Sequence, residues 1–85
     1  MWYVYIIKSK SQNFRYLGST NDLQRRFKEH NAGESQSTKA YAPFDLESYI
    51  AVNNEKHARN LEKYFKTGSG KVILTKRILG DEASA

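Results

Sequence analysis

The chain contains no cysteine, and this absence constrains the fold more than any other feature of its 85 residues. A domain of this size buries only about 60% of the surface that its unfolded chain exposes, so its core is small. Small domains often compensate with disulfides or thiolate-bound zinc, and neither is possible here. Stability therefore has to come from packing, for which aromatic side chains, 13% of the residues, are the main resource. We expect one domain over residues 1–79 and a flexible tail over residues 80–85.

The charge balance is basic, with 14 lysines and arginines, 9 acidic residues and a formal net charge of +5. The excess lies in two stretches, residues 25–28 and 63–77. Such stretches are typical of proteins that contact a phosphate backbone, although surface lysines also serve solubility. No run approaches the roughly 18 apolar residues of a membrane span, and the short N-terminal apolar run lacks a preceding basic segment. We therefore expect a cytoplasmic protein without a membrane partner.

Local residue patterns predict an α+β domain in which a three-stranded antiparallel sheet is flanked by helices, in the order ββαβαα. Strands are predicted where β-branched and aromatic residues concentrate, and helices where apolar residues recur every three or four positions after a capping residue. The segment before the third strand is rich in Ser, Thr and Gln and is predicted to be a loop too polar for a core element. Strands are predicted over residues 2–8, 14–19 and 44–52. Helices are predicted from a cap within 20–22 to about 31, from a cap at 53 or 54 through 66, and over 71–79. The loop covers residues 34–43, and a glycine-rich segment over 67–70 is predicted to end the second helix.

Alternation along the hairpin places Tyr3 and Tyr5 on one face of the first strand, and Tyr16 and Gly18 on one face of the second. If the turn sets Tyr5 opposite Tyr16, the two phenols lie side by side and Gly18 faces Tyr3. A glycine inside a strand indicates that another group approaches the backbone closely. The alternative is that tyrosines simply suit half-buried strands, with their hydroxyls at the rim.

The first predicted helix has two large apolar residues, Leu23 and Phe27, which must face the sheet. Arg25 falls almost opposite that pair and is expected to be solvated. Arg26 and His30 are i, i+4 neighbours that flank the apolar stripe, at the edge of the helix–sheet contact, where the tyrosines could reach them. Periodicity therefore favours Arg26 over Arg25 as the functional arginine. The alternative is that Arg26 only braces an acidic residue on the surface.

The second predicted helix buries a stripe formed by Ala58, Leu61 and Phe65, and Glu62 lies on its flank. The carboxylate is either half of an i, i+4 pair with Lys66 or a functional acid at the edge of a cleft. The combination of signals is more specific than each alone, and six residues are expected to converge on one sheet face. They are Tyr5, Tyr16, Gly18, Arg26, His30 and Glu62.

These residues resemble the motifs of the GIY-YIG nuclease family, and the likeness covers about residues 2–79. Residues 3–5 (YVY) and 16–18 (YLG) stand where the two family motifs would be, and residues 19–31 resemble its helix signature. Residues 61–71 resemble the later acidic motif of small stand-alone bacterial members. There are departures: a tyrosine at position 3 replaces the usual glycine, valine and leucine replace the two isoleucines, and no asparagine follows position 60, although many family nucleases use a late one.

The resemblance implies an endonuclease that hydrolyses phosphodiester bonds in nucleic acid, expected to be DNA, with DNA repair as an expected setting. It implies Tyr5 and Tyr16 as active-site phenols, Arg26 as the catalytic arginine and His30 as an auxiliary. Glu62 would be the ligand of Mg²⁺ or Mn²⁺, and one carboxylate suffices for an ion that keeps several waters. Because a phenol titrates near pKa ~10, the base is the difficult part. We hypothesise that Tyr5 takes the proton of the attacking water, and that Tyr16 or His30 orients the water or shares the proton.

Two other classes of protein remain as alternatives. One is a non-catalytic nucleic-acid-binding module with the same fold, and the other is a protein-interaction domain whose tyrosines only form core and rim. In a chain this short we expect no appended reader of sequence, and we therefore expect either broad or structure-directed cutting or a partner protein that supplies specificity. The residues expected to contact nucleic acid are Gly18, Arg25, Lys28, Lys39, Tyr41, Lys66, Lys71, Lys76 and Arg77.

Overall fold

The computed structural model describes residues 1–78, except for the side chain of Arg77. The predicted contact of Arg77, the end of the third helix at Leu79 and the predicted tail over residues 80–85 lie outside the described residues. Within the described part of the chain, no helix has the length and apolar character needed to cross a membrane.

Three strands form one antiparallel sheet in the spatial order β2-β1-β3. They are β1 (Trp2–Ser9), β2 (Arg15–Thr20) and β3 (Phe44–Val52). β1 is therefore central, while β2 and β3 each leave one edge of the sheet open. The α+β class, the antiparallel sheet and the predicted order of elements are confirmed.

Three α-helices lie in the described part of the chain, and each begins at a side chain that accepts a hydrogen bond from a backbone N–H of the first turn. The helices are α1 (Leu23–Asn31), α2 (Glu55–Phe65) and α3 (Gly68–Ile73), capped by Asp22, Asn54 and Thr67 respectively. The prediction that residues 67–70 only terminate the second helix is wrong, because the Thr67 hydroxyl starts α3 there. A π-helical turn, Leu74–Ile78, continues α3.

The two faces of the sheet carry separate cores, as the strand alternation requires. Val4 and Ile6 pack under α2, whose apolar stripe includes Ala58 and Phe65. Tyr5 belongs to the other core, on which α1 packs. The expectation that the six candidate residues converge on one face is therefore wrong, because α1 and α2 lie on opposite faces.

The register of the hairpin also differs from the predicted one. Tyr5 lies opposite Gly18, not opposite Tyr16. The reason is the turn, in which the Ser9 N–H donates to the Phe14 carbonyl at 2.9 Å and sets the ladder two residues away from the expected pairing. Because side-chain alternation has a period of two, every side chain keeps its predicted face.

The loop between α1 and β3 contributes to the interior, contrary to the prediction that it is too polar for a core element. Ser35 and Thr38 are buried, with relative exposures of 7% and 0%. They are tolerated there because their hydroxyls have hydrogen-bond partners on α1. The loop also holds a short 3₁₀ turn, Lys39–Tyr41.

Candidate active site

Two phenol rings close around Gly18 on the α1 face of the sheet. A Cβ atom at Gly18 would lie 2.8 Å from Tyr5 Oη and 2.9 Å from a ring carbon of Tyr16. The predicted close approach to this glycine is thus confirmed, and the approaching groups are the two tyrosines themselves. Tyr5 is 1% exposed, so it is a core residue and not the rim residue of the alternative interpretation. The Tyr5 and Tyr16 ring centroids are 6.3 Å apart.

His30 lies behind the phenols, completely buried, and not at the rim where helical periodicity placed it. Its Nε2 is 2.8 Å from Tyr5 Oη and its Nδ1 is 2.7 Å from Thr38 Oγ1. Burial and the charge of Arg26 lower the pKa of His30 from 6.5 to about 4, with Glu29 acting in the opposite direction. The imidazole is therefore neutral at pH 7, and it faces a phenol on one side and a hydroxyl on the other.

Arg26 is half-buried at the flank of α1, as predicted, while Arg25 is solvated. Its guanidinium donates to Glu29 Oε1 at 3.0 Å and to Ser35 Oγ at 3.4 Å. Burial alone would lower the pKa of Arg26, but the bond to Glu29 and the neighbouring Tyr5 phenol outweigh it and raise the pKa. The surface brace and the approach to the tyrosine, which the sequence offered as alternatives, therefore occur together.

Glu62 reaches the same region from the opposite side of the sheet. Its Oε1 accepts a hydrogen bond from the Ser19 hydroxyl at 2.8 Å, and its Oε2 accepts one from Lys66 Nζ at 2.8 Å. Ser19 follows Gly18 in β2 and points toward α2, so the carboxylate meets the edge strand beside the position that the phenols approach. The predicted ion pair with Lys66 is present. It does not exclude a functional role for Glu62, because the paired carboxylate lies at the candidate site.

Adjacent residues of the edge strand connect the two sides, since Gly18 contacts the phenols and Ser19 contacts Glu62. Burial raises the pKa of the Tyr5 phenol to about 12, with the Arg26 side chain opposing this rise and the charges of Tyr16 and Glu62 adding to it. The charge of Glu62 is the smallest of these influences. The candidate site therefore lies on both faces of β2. This strand is at the edge of the sheet, and Gly18 has no side chain, so little of the protein separates the groups on the two faces.

The side chains at this edge fit the divalent ion that the resemblance implies. Partial burial alone would raise the pKa of Glu62, but hydrogen bonds from Lys66 and Ser19 and the charges of Lys66 and Arg59 outweigh it and lower the pKa. The carboxylate is therefore ionised at neutral pH, and Lys66, which holds its second oxygen, is 55% exposed. Within residues 1–78 no three potential metal ligands cluster, and one carboxylate is enough for an ion that keeps most of its waters.

The basic residues that the sequence assigned to nucleic acid fall into two groups. Lys66 and Lys71 line an open groove of about 480 Å³ along β2, next to Tyr16, and Lys76 lies near Lys71 on α3 and its continuation. Arg25 and Lys28 lie on the solvent face of α1 together with acidic side chains.

The remaining candidates lie in the loop between α1 and β3. Lys39 is exposed. Tyr41 is already stacked on Phe14, with centroids 3.8 Å apart, so one face of its ring is covered.

Sequence reasoning missed three hydroxyl residues at this site. Ser19 holds Glu62, Ser35 contacts Arg26 and Thr38 contacts His30. Ser19 carried a usable signal, since it adjoins the second motif on the face that α2 covers. The two loop residues carried none, because a hydroxyl in a polar loop has no periodicity that would mark it as buried.

The fold and the site together define a class of protein, namely a small α+β domain with two phenols, a guanidinium and a carboxylate at one edge of its sheet. Its residues 1–76 match the family described as the GIY-YIG catalytic domain. The chain belongs to the GIY-YIG family of nuclease domains, as its motifs predicted.

Similar proteins carry the family name UPF0213. One from Vibrio campbellii is 36% identical over 66 residues, covering 76% of this chain and 62% of that protein. One from Clostridium perfringens is 37% identical over 67 residues, covering 78% and 71%. The solution NMR structure of a UPF0213 protein from Bacillus halodurans has a TM-score of 0.52 at 31% identity and covers 89% of this chain and 84% of that chain. The chain spans less than two thirds of the length of the Vibrio relative.

Proposed function

We propose that this protein is a metal-dependent endonuclease that hydrolyses phosphodiester bonds in nucleic acid, with DNA as the expected substrate. One observation carries the proposal: two phenols close around Gly18 of the edge strand β2, and the next residue, Ser19, donates a hydrogen bond to the Glu62 carboxylate at 2.8 Å. Family membership supports the same reaction class, because nuclease domains of this family act on nucleic acid. A basic groove beside the site supports a phosphate-backbone partner.

Each group has a role that its chemistry suits. Glu62 holds Mg²⁺ or Mn²⁺, which when bound supplies positive charge to neutralise the phosphoryl oxygens. The planar guanidinium of Arg26 donates two parallel hydrogen bonds to such oxygens, and Glu29 and Ser35 fix its orientation. Tyr5 accepts the proton of the attacking water. Tyr16, half-buried beside it, orients that water.

The groove along β2 is where the chain on one side of the cleaved phosphate would lie. Lys66 and Lys71 stand at its border, while Phe65 and Leu74 provide apolar surface. Phosphates at the border would meet ammonium groups, and the salt dependence of binding should report those contacts.

The proposal is tested by nicking of supercoiled plasmid with and without Mg²⁺ or Mn²⁺, followed by a panel of duplex, single-stranded and branched substrates. Glu62→Gln removes the ligand charge but keeps the shape, and it should abolish metal-dependent cleavage. Glu55→Gln is the matched control, since Glu55 lies on the same helix and forms the same kind of i, i+4 pair, with Arg59. It should cleave like the wild type.

Three outcomes would contradict the proposal or a part of it. Cleavage by Glu62→Gln at the rate of Glu55→Gln would remove the role of Glu62, and undiminished cleavage by Tyr5→Phe would remove that of Tyr5. Salt-sensitive binding of nucleic acid by the wild type, without cleavage at any metal concentration, would favour the non-catalytic binding module instead.

A further inference from the structure

A buried chain of three polar side chains extends from the candidate site into the interior. Tyr5 Oη is 2.8 Å from His30 Nε2, and His30 Nδ1 is 2.7 Å from Thr38 Oγ1. Tyr5 is 1% exposed, and His30 and Thr38 are 0% exposed. These side chains have almost no exposed surface, so the direction of each hydrogen bond has to be set by the three side chains and the groups that face them.

The two hydrogen bonds can run in either direction, depending on the tautomer of the imidazole. The Tyr5 hydroxyl hydrogen needs an acceptor, and the neighbouring Arg26 offers only donors. His30 Nε2 is the acceptor that the described residues provide for this hydroxyl. The direction that satisfies Tyr5 is the one in which Tyr5 donates to Nε2. In a neutral imidazole the proton then lies on Nδ1, which donates to the Thr38 hydroxyl oxygen.

We propose that Thr38 is a positioning residue that holds His30 in the Nδ1-protonated tautomer, so that His30 receives the Tyr5 proton when Tyr5 accepts one from the attacking water. The inference rests on the proposed hydrolysis. It adds two residues to the role of Tyr5: His30 as the terminal proton acceptor, and Thr38 as the residue that sets the tautomer of this acceptor.

The step balances once the leaving oxygen is included. A bond forms between the water oxygen and phosphorus while the bond from phosphorus to the leaving oxygen breaks, and the leaving oxygen takes a proton from solvent. The water O–H bond breaks as its proton passes to Tyr5 Oη. The original Tyr5 O–H bond breaks as its proton passes to Nε2, so the phenol ends neutral and His30 ends as an imidazolium. Its second N–H remains bonded to Thr38. After the product leaves, Nε2 returns a proton to Tyr5 Oη, and Tyr5 releases one proton to solvent.

The relay removes the difficulty of a tyrosine base. Burial raises the pKa of Tyr5 to about 12, so at neutral pH the phenolate is too rare to serve as the resting base. A phenol that passes its own proton onward needs no prior ionisation. His30 rests neutral, because burial lowers its pKa to about 4, so Nε2 has a lone pair that can receive the proton. The same low pKa means that the imidazolium is short-lived and returns the proton readily.

Each of the three strands places an aromatic ring against His30. Tyr5 comes from β1, Tyr16 from β2 and the ring of Phe44 from β3. From its own helix, Arg26 disfavours the imidazolium and Glu29 favours it. When substrate is bound, its phosphate would neutralise the positive charge of Arg26. Arg26 would then disfavour the His30 imidazolium less, so proton transfer to His30 is easier with substrate present than without it.

The test begins with ¹⁵N NMR of the His30 ring in the full-length protein, with no metal or substrate added. The wild type should show a protonated Nδ1 and an unprotonated Nε2. Thr38→Val removes the hydroxyl at nearly constant shape and leaves Nδ1 without a partner, so the proton should move to Nε2, which still faces Tyr5. Cleavage should fall on the order of tenfold to a hundredfold in kcat, with KM unchanged. Thr38→Ser should restore both the tautomer and the rate.

Thr20→Val is the matched control, because Thr20 is also buried and its hydroxyl contacts the start of α1 rather than His30. It should lower stability and leave the His30 tautomer and kcat as they are. A wild-type His30 protonated at Nε2 would overturn the relay, even if Thr38→Val did not fold. Equal kcat for Thr38→Val and the wild type would overturn the relay alone. Absence of metal-dependent cleavage by the wild type would overturn the proposed function, and the relay with it.

Discussion

Gly18→Ala is the perturbation that the geometry of the site makes most informative. A Cβ there would lie 2.8 Å from Tyr5 Oη, 2.9 Å from Tyr5 Cζ and 2.9 Å from Tyr16 Cε2. Comfortable contacts of this kind lie at about 3.5–4.0 Å, so the rings must move by roughly 0.6–1.2 Å. Tyr5 has little room to retreat, since it is 1% exposed and His30 lies behind it.

The consequences for stability and for activity differ in size. Overpacking of this kind costs about 1–3 kcal/mol, and replacing a strand glycine by alanine returns about 0.5–1 kcal/mol of chain entropy. The net loss is about 0–2.5 kcal/mol, and each kcal/mol lowers Tm by roughly 4–8 °C in a domain of this size. A displacement of about 1 Å at a reacting group costs on the order of 100-fold in rate. The variant should therefore stay folded and lose most of its activity.

Thermal unfolding by circular dichroism and plasmid nicking measure the two effects on the same preparation. Gly68→Ala is the matched control, because nothing lies within 4 Å of the Cβ that it adds, and it should match or slightly exceed the wild type in both assays. A Gly18→Ala protein with wild-type Tm and wild-type cleavage would refute the claim that the two phenols are packed against this glycine.

Three further predictions concern other parts of the chain. Gly70→Ala should unfold the protein or cost more than about 3 kcal/mol, because the new Cβ would collide with the Tyr64 backbone carbonyl. Stability should fall as pH drops from 6.5 to about 4, since in this range the unfolded chain binds a proton at His30 that the folded chain excludes. That loss should be on the order of 3 kcal/mol, measured as the free energy of unfolding in urea, and His30→Gln should flatten the slope. Arg26→Lys should reduce cleavage about 100-fold with little change in Tm, because an ammonium does not reproduce two parallel donors.

Each of these predictions has an internal control. His57 is exposed, so His57→Gln should keep the acid-induced loss of stability, and a slope that depended on His57 would contradict the assignment to His30. Arg25→Lys should cleave like the wild type, and equal losses from both arginine substitutions would show that charge alone matters. A stable, folded Gly70→Ala protein would contradict the close packing of α3 against α2.

The sequence by itself determined the elements and the sidedness of their residues. Alternation placed Tyr5 and Gly18 on one face without knowledge of the register, because a shift of two residues preserves every face. Helical periodicity separated a solvated Arg25 from a flanking Arg26, and the stripe of α2 left Glu62 at its edge. Strand alternation and helical periodicity depend only on backbone geometry and on the spacing of residues along the chain, so they can be read from one sequence.

Only the tertiary structure decided how those residues meet. The turn at Ser9 set the pairing, and the placement of the two helices on opposite faces turned an expected one-face site into one that straddles β2. The burial of His30 and its bond to Thr38 depend on a loop whose local sequence is polar throughout. Such contacts arise between segments distant along the chain, and the free energy that selects them is that of the assembled core, which no local pattern of residues encodes.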